Sequence, residues 1–199
     1  MLACRLSSDA VLAYDGALSF HHLGGDDVRI SFLTAKQIRP FSDEQVFYTP
    51  VRPPAALGKK WRAEVIEAER GGEKVFVTSI ERTLVDVLDR LDLLRRVPDV
   101  VDLGVDKLRK AFATLDLDIP RMVHHARALG GGLLASRLGF FLEFLPAARR
   151  DDLGRLEKRR PTSPAYFDRT DREEEMVFLN RWNLLVPKPL WLRVARGAL

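Results

Sequence analysis

The chain has 199 residues, 46% of them apolar and 30% charged, a balance that excludes disorder and suits one large domain, or one domain with a small appendage. No apolar run approaches the roughly 18 residues needed to cross a bilayer. Arg5, Asp9 and Asp15 interrupt any secretory h-region, and Cys4, the single cysteine, leaves no disulfide framework and no cysteine zinc site, so a soluble cytoplasmic protein is expected.

The net charge of +4 is unevenly placed. Residues 1–120 hold 17 lysines and arginines against 19 acids, whereas residues 121–199 hold 15 against 9. A polyanion would therefore be drawn most strongly to the last third.

In chain order, Ser8 can cap a first helix, with Val11, Tyr14, Leu18 and Phe20 or His21 at helical spacing, ending at Leu23-Gly24-Gly25. Val28, Ile30 and Phe32 then alternate with Arg29 and Ser31, as in a half-buried strand. A polar connection through Pro40 leads to a second strand, Val46 to Val51, and Pro53-Pro54 with Gly58-Lys59-Lys60 marks a loop. Residues 62–69 alternate again, and Gly71-Gly72 turns the chain into a short strand, Lys74 to Val77. The middle of the chain thus reads as a mostly antiparallel sheet.

Thr78 and Glu81 have capping-box spacing at the start of the clearest helix. Its stripe is Ile80, Leu84, Val87, Leu88, Leu91 and Leu94, and Arg82–Asp86 and Asp86–Arg90 are spaced to pair along it. Pro98 fits the first turn of another helix, expected to break near Gly104 and resume with Leu108, Phe112 and Leu115. Asp118 caps the next helix, which Gly130-Gly131-Gly132 ends. Leu133 to Leu145 is apolar on nearly every side, as befits a central helix, and Pro146 stops it. A basic amphipathic stretch follows, with Leu153 and Leu156. Next come a loop over 161–172 and two closing strands, one with Trp182, Leu184 and Val186 and one with Leu190, Leu192 and Val194. The fold expected is α+β, a mostly antiparallel sheet under a helical layer of about five helices. Residues 1–146 form its core, and 147–199 pack on the same domain.

Three motifs occur in a fixed order: Ser79-Ile80-Glu81-Arg82-Thr83-Leu84-Val85-Asp86 after a strand, then Arg137-Leu138-Gly139 with Leu142-Glu143, then Arg181-Trp182-Asn183-Leu184. Together they resemble the AbiEi antitoxin family, the antitoxin and transcriptional-regulator components of type IV toxin–antitoxin abortive-infection systems. Asp9 to Tyr14 with Ala17-Leu18 resembles the first helix of that family's C-terminal domain. The family-motif residues are Glu81, Arg82, Thr83, Asp86, Arg137, Gly139 and Glu143. The resemblance implies a regulator without enzymatic activity or cofactor, opposing a nucleotidyltransferase-like toxin of the kind usually neutralised without a stable protein complex. Such proteins usually carry an N-terminal winged helix-turn-helix, whereas only seven residues precede the helix expected at Ser8. The chain is therefore expected to be either a solitary C-terminal domain or one whose true start lies upstream.

Among candidate site residues, Arg149, Arg150, Arg155, Lys158, Arg159 and Arg160 are the best nucleic-acid contacts, since arginine and lysine neutralise phosphates without reading sequence. Asp151, Asp152 and Glu157 dilute the run, and a solvated helix face is the plainer account. Lys59, Lys60 and Arg62 would join such a face if folding brought them together. The alternative function is a nuclease-like or metal-dependent hydrolase using Glu81, Asp86 and Asp89, with Lys74 nearby. Capping and ion pairing account for those acids equally well. A third possibility is a structural partner-binding domain. His21-His22 with Asp26-Asp27 and His124-His125 offer metal-type donors, but adjacent histidines on a helix diverge by about 100° and converge poorly on one ion. No metal site is expected. Ser79 lacks a nucleophile elbow. Phe140, Phe141 and Phe144 belong to a core helix.

Overall fold

The computed structural model describes residues 7–24, 29–94, 101–168 and 175–196, with backbone alone for 101–107 and 196. The chain is α+β and divides into two compact units, residues 1–87 and 88–199. The boundary drawn from the sequence at 146 falls inside the second unit. Pro98, Asp26 and Asp27 lie outside the described residues.

The first unit is built on a six-stranded sheet. Its strands are β1 (Val11–Leu12), β2 (Arg29–Leu33), β3 (Phe41–Asp43), β4 (Val46–Val51), β5 (Val65–Arg70) and β6 (Glu73–Thr78), in the spatial order β3-β4-β2-β1-β6-β5. Three of its five pairings are antiparallel, while β2–β4 and β1–β6 are parallel, so the sheet is mixed. Helix α1 (Tyr14–Phe20) packs on β2. The core joins Leu12, Ala17, Ile30, Phe32, Tyr48 and Val77. Gly16 lets the two backbones meet, since a Cβ there would collide with the Ser31 carbonyl oxygen.

The expected helix from Ser8 is corrected here. Val11 and Leu12 are a central strand paired with Leu33, Phe32 and Val77, and the helix starts only at Tyr14. Asp9 explains the extended entry, because its carboxylate accepts from the Thr34 hydroxyl and the Ala35 amide of the loop after β2. Strand β1 is buried on both sides, which removes the alternation that marks a half-buried strand. The Gly71-Gly72 turn is as expected, both glycines having positive φ (60° and 77°) that suits a hairpin.

Helix α2 (Ile80–Asp89) begins after β6. Its cap is Ser79 rather than Thr78: the Ser79 hydroxyl accepts from the Arg82 amide. Thr78 stays in the strand, where its hydroxyl shares a 2.7 Å hydrogen bond with Thr83. Every residue from Glu81 to Leu88 is buried, a wider burial than one apolar stripe implies.

The second unit holds α3 (Val101–Thr114), α4 (Ile119–Leu129), α5 (Gly132–Leu142), α6 (Arg150–Glu157) and α7 (Lys188–Arg196). It also holds a small sheet of β7 (Ala165–Tyr166), β8 (Met176–Leu179) and β9 (Leu184–Pro187), ordered β7-β9-β8. Helix α3 runs unbroken past Gly104. The Asp118 carboxylate caps α4 by accepting from the Arg121 amide at 3.0 Å, and Gly130 ends it at φ 85°. Helix α5 is the central helix expected, buried from Leu134 to Leu142. Its Phe141 stacks on Phe112, and Phe140 meets Phe167 edge-on.

The last predicted strand is corrected: Leu190, Leu192 and Val194 sit on helix α7. Pro189 occupies its first turn, where the missing amide costs nothing, and Leu190 and Val194 are buried four residues apart. The loop read over 161–172 contains the short strand β7, paired in parallel with β9.

Candidate nucleic-acid interface

Helix α6 is amphipathic because Asp152, Leu153 and Leu156 turn inward, leaving its other positions to solvent. Asp151 and Asp152 stand in its first turn and Arg155 in its last, the arrangement that the helix dipole favours. The six predicted cations divide by role. The Arg160 guanidinium donates to the Arg181 and Asn180 carbonyls and lies 3.6 Å from Glu157, so it ties α6 to the turn before β9. Arg159 reaches the Arg127 carbonyl at 3.4 Å. Arg149, Arg150, Arg155 and Lys158 are exposed and form no ion pair among the described residues, with Asp151 the one exposed acid between them.

Arg181, which sequence reasoning left out of this surface, takes Glu143 at 2.9 Å and Glu157 at 3.2 Å. Hydrogen bonding to Glu143 is the main reason its guanidinium holds its proton more firmly than usual, with Glu157 adding to the effect. Glu157 is thus spent on Arg181 and Arg160 and does not neutralise Arg155 or Lys158. Only the fold, through Arg159, brings the end of α4 to the end of α6.

The family-motif residues form a framework. Along one side of α5, the Ser136 hydroxyl donates to the Trp182 carbonyl at 2.6 Å, and the Glu143 carboxylate accepts from the Trp182 indole at 2.8 Å. Gly139, between them, leaves room for the indole, which is fully buried. Two motifs about forty residues apart in sequence therefore meet as one packing unit. From another side of α5, Arg137 donates to the Leu88, Asp89 and Phe167 carbonyls and so satisfies orphan acceptors at the end of α2.

In the first unit, Arg82 and Asp86 are a fully buried pair at 3.1 Å, and Arg82 also donates to the Ala63 carbonyl. The Thr83 hydroxyl donates to the Ser79 carbonyl at 2.7 Å. Glu81 is buried on the same helix, and Asp89 is half-buried at its end. Among the described residues no group of three or more histidine, cysteine, aspartate or glutamate side chains is placed to hold a metal. His21 is engaged with the Thr78 carbonyl at 2.8 Å, His22 is exposed, His124 is exposed and His125 is buried. Lys59, Lys60 and Arg62 belong to the first unit and α6 to the second. No described helix is long and apolar enough to cross a membrane.

No family model and no curated protein matches the chain. Among solved structures, the chain is similar to the RV2827C protein from Mycobacterium tuberculosis, known from a crystal structure. The two share 21% identity with a TM-score of 0.52, over 98% of this chain and 68% of that one. At that identity the likeness bears on the fold alone.

Proposed function

We propose that this protein is an antitoxin and transcriptional regulator of a type IV toxin–antitoxin system, acting in the cytoplasm against a nucleotidyltransferase-like toxin and contacting DNA through α6. The order of the three sequence motifs motivates the antitoxin half of this reading. The observation that carries the DNA half is the exposed set Arg149, Arg150, Arg155 and Lys158, which forms no ion pair with a described acid and has Asp151 as the one exposed acid between its members. Such a surface binds phosphates without sequence readout and weakens steeply with salt. Three of the motif residues have roles in the fold. Asp86 accepts from a buried arginine, and Gly139 and Glu143 seat a tryptophan, so each is explained by folding.

Two measurements test the halves separately. Co-expression with the toxin encoded beside it is expected to restore growth of a host in which that toxin is active, and continued arrest would sink the antitoxin reading. In a mobility-shift titration, R150E/R155E/K158E is expected to weaken DNA binding about tenfold or more at low salt. Unchanged binding by a folded variant would remove α6 from the interface.

A further inference from the structure

We propose that the first unit carries a separate phosphodiester-binding surface, formed by Lys36, Arg52 and Arg62 where three loops meet and extended by Lys59 and Lys60. It stands on the first unit alone and does not depend on α6.

The three cationic heads are each held by one hydrogen bond to one of two linked segments, Ser8-Asp9 and Ala35. The Lys36 ammonium donates to the Ser8 hydroxyl at 3.2 Å, the Arg52 guanidinium to the Ala35 carbonyl, and the Arg62 guanidinium to the Asp9 carbonyl at 3.2 Å. The Ala35 amide in turn donates to the Asp9 carboxylate at 2.8 Å, which closes the cluster. The topology makes this meeting necessary. β2 and β4 run parallel, so the residues after Leu33 and Val51 emerge at one end of the sheet, and β1, antiparallel to β2, enters there. Arg62 is further fixed by the rings of Phe76 at 4.8 Å and Trp61 at 5.3 Å. The crossover from β4 to β5 contains Lys59 and Lys60, both exposed.

One acid is built into the cluster: the Asp9 carboxylate accepts from the Ser7 and Thr34 hydroxyls and the Ala35 amide. Burial alone would raise its pKa, but those hydrogen bonds hold it below the usual range, so it stays ionised and offsets one of the five positive charges. Asp43 and Glu44 sit in the turn at the opposite end of β4, about 20 Å away by strand rise. The β5–β6 hairpin carries both signs, and there Lys74 is paired with Glu67 at 2.7 Å. None of the five cations forms an ion pair with a described acid. Hydrogen bonds to neutral oxygens orient these side chains and leave them charged for a ligand. Fixed guanidinium and ammonium groups on loops suit a phosphate backbone.

The test uses the full chain with two fluorescent probes of equal length, duplex DNA and single-stranded RNA, titrated across a salt series. K36E/K59E/K60E changes exposed positions and leaves Arg52 and Arg62, which hold backbone carbonyls, in place. K36Q/K59Q/K60Q controls for introduced repulsion. Both variants are expected to keep the parent's circular dichroism and melting temperature. The charge reversal is expected to weaken binding of at least one probe about tenfold or more. Both variants should flatten the slope of log K against log salt by about two to three. The probe affected identifies the nucleic acid. Parental affinity and slope for both probes would overturn the proposal, as would failure of the parent chain to bind either. Loss in R150E/R155E/K158E alone would place all contact on α6 and overturn this surface. Loss in the first-unit variants alone would support it while removing α6.

Discussion

At Gly139 the missing side chain is the functional property. A Cβ there would fall inside the van der Waals distance of three ring carbons of Trp182, whose indole is fully buried. Gly139→Ala is expected to cost about 1–3 kcal/mol, as other overpacked sites do, read as a lower urea midpoint at constant slope. Asp15 is the other informative single residue. Its carboxylate accepts from the Gly16 and Ser31 amides at 2.7 Å each. Burial dominates and raises its pKa, although these donors and Arg29 oppose the rise. The folded protein therefore holds this proton more tightly than the unfolded chain. The stability gained is complete below the ordinary carboxylate range at about pH 4 and is lost as pH rises through the raised value. Asp15→Asn keeps an oxygen for both amides. Its stability is expected to be flatter over that window and higher than the parent's at neutral pH, and a pH dependence identical to the parent's would show that Asp15 does not titrate there.

Helix α2 and helix α5 show how one element depends on another. The carbonyls of Leu88 and Asp89 close α2 and would be orphans without the Arg137 guanidinium, which also takes the Phe167 carbonyl. Arg137→Ala is expected to destabilise by about 3 kcal/mol or more, and Arg137→Lys to recover only part of the loss, because an ammonium cannot span the same fork of acceptors. Equal stability of the lysine variant and the parent, by denaturant unfolding, would contradict that account. Elements with a strong local signal were legible in the sequence: the hairpin at Gly71-Gly72, the Asp118 cap, the Gly130 stop and the apolar α5. Elements decided by their neighbours were not. Val11–Leu12 reads as helix until its partners Leu33, Phe32 and Val77 are known. Leu190 to Val194 suits either period, and α7 follows from the prolines at its start.

For the whole molecule, the positive charge is carried in places that composition alone does not disclose. In the last third of the sequence, Arg137 is buried against carbonyls, and Arg160 and Arg181 are tied to Glu157 and Glu143. The exposed cations that form no ion pair with a described acid there include Arg149, Arg150, Arg155 and Lys158 on and beside α6. Binding of duplex DNA by the full chain is expected to give a straight line of log K against log salt, with a slope near 0.9 per neutralised phosphate. A slope near zero would exclude phosphate contact altogether.

By itself, the sequence determined the α+β class, the main strands and helices, and the motif order. These depend on periodicity, caps and turn residues, which act over a few neighbouring positions. Only the tertiary structure decided which cations are free and which are used, that the Gly139 and Trp182 motifs are two halves of one packing contact, and that Lys36, Arg52 and Arg62 converge on Ser8, Asp9 and Ala35. Those facts depend on strand order and on which backbone carbonyls lack partners, and such long-range pairings leave no trace in local spacing.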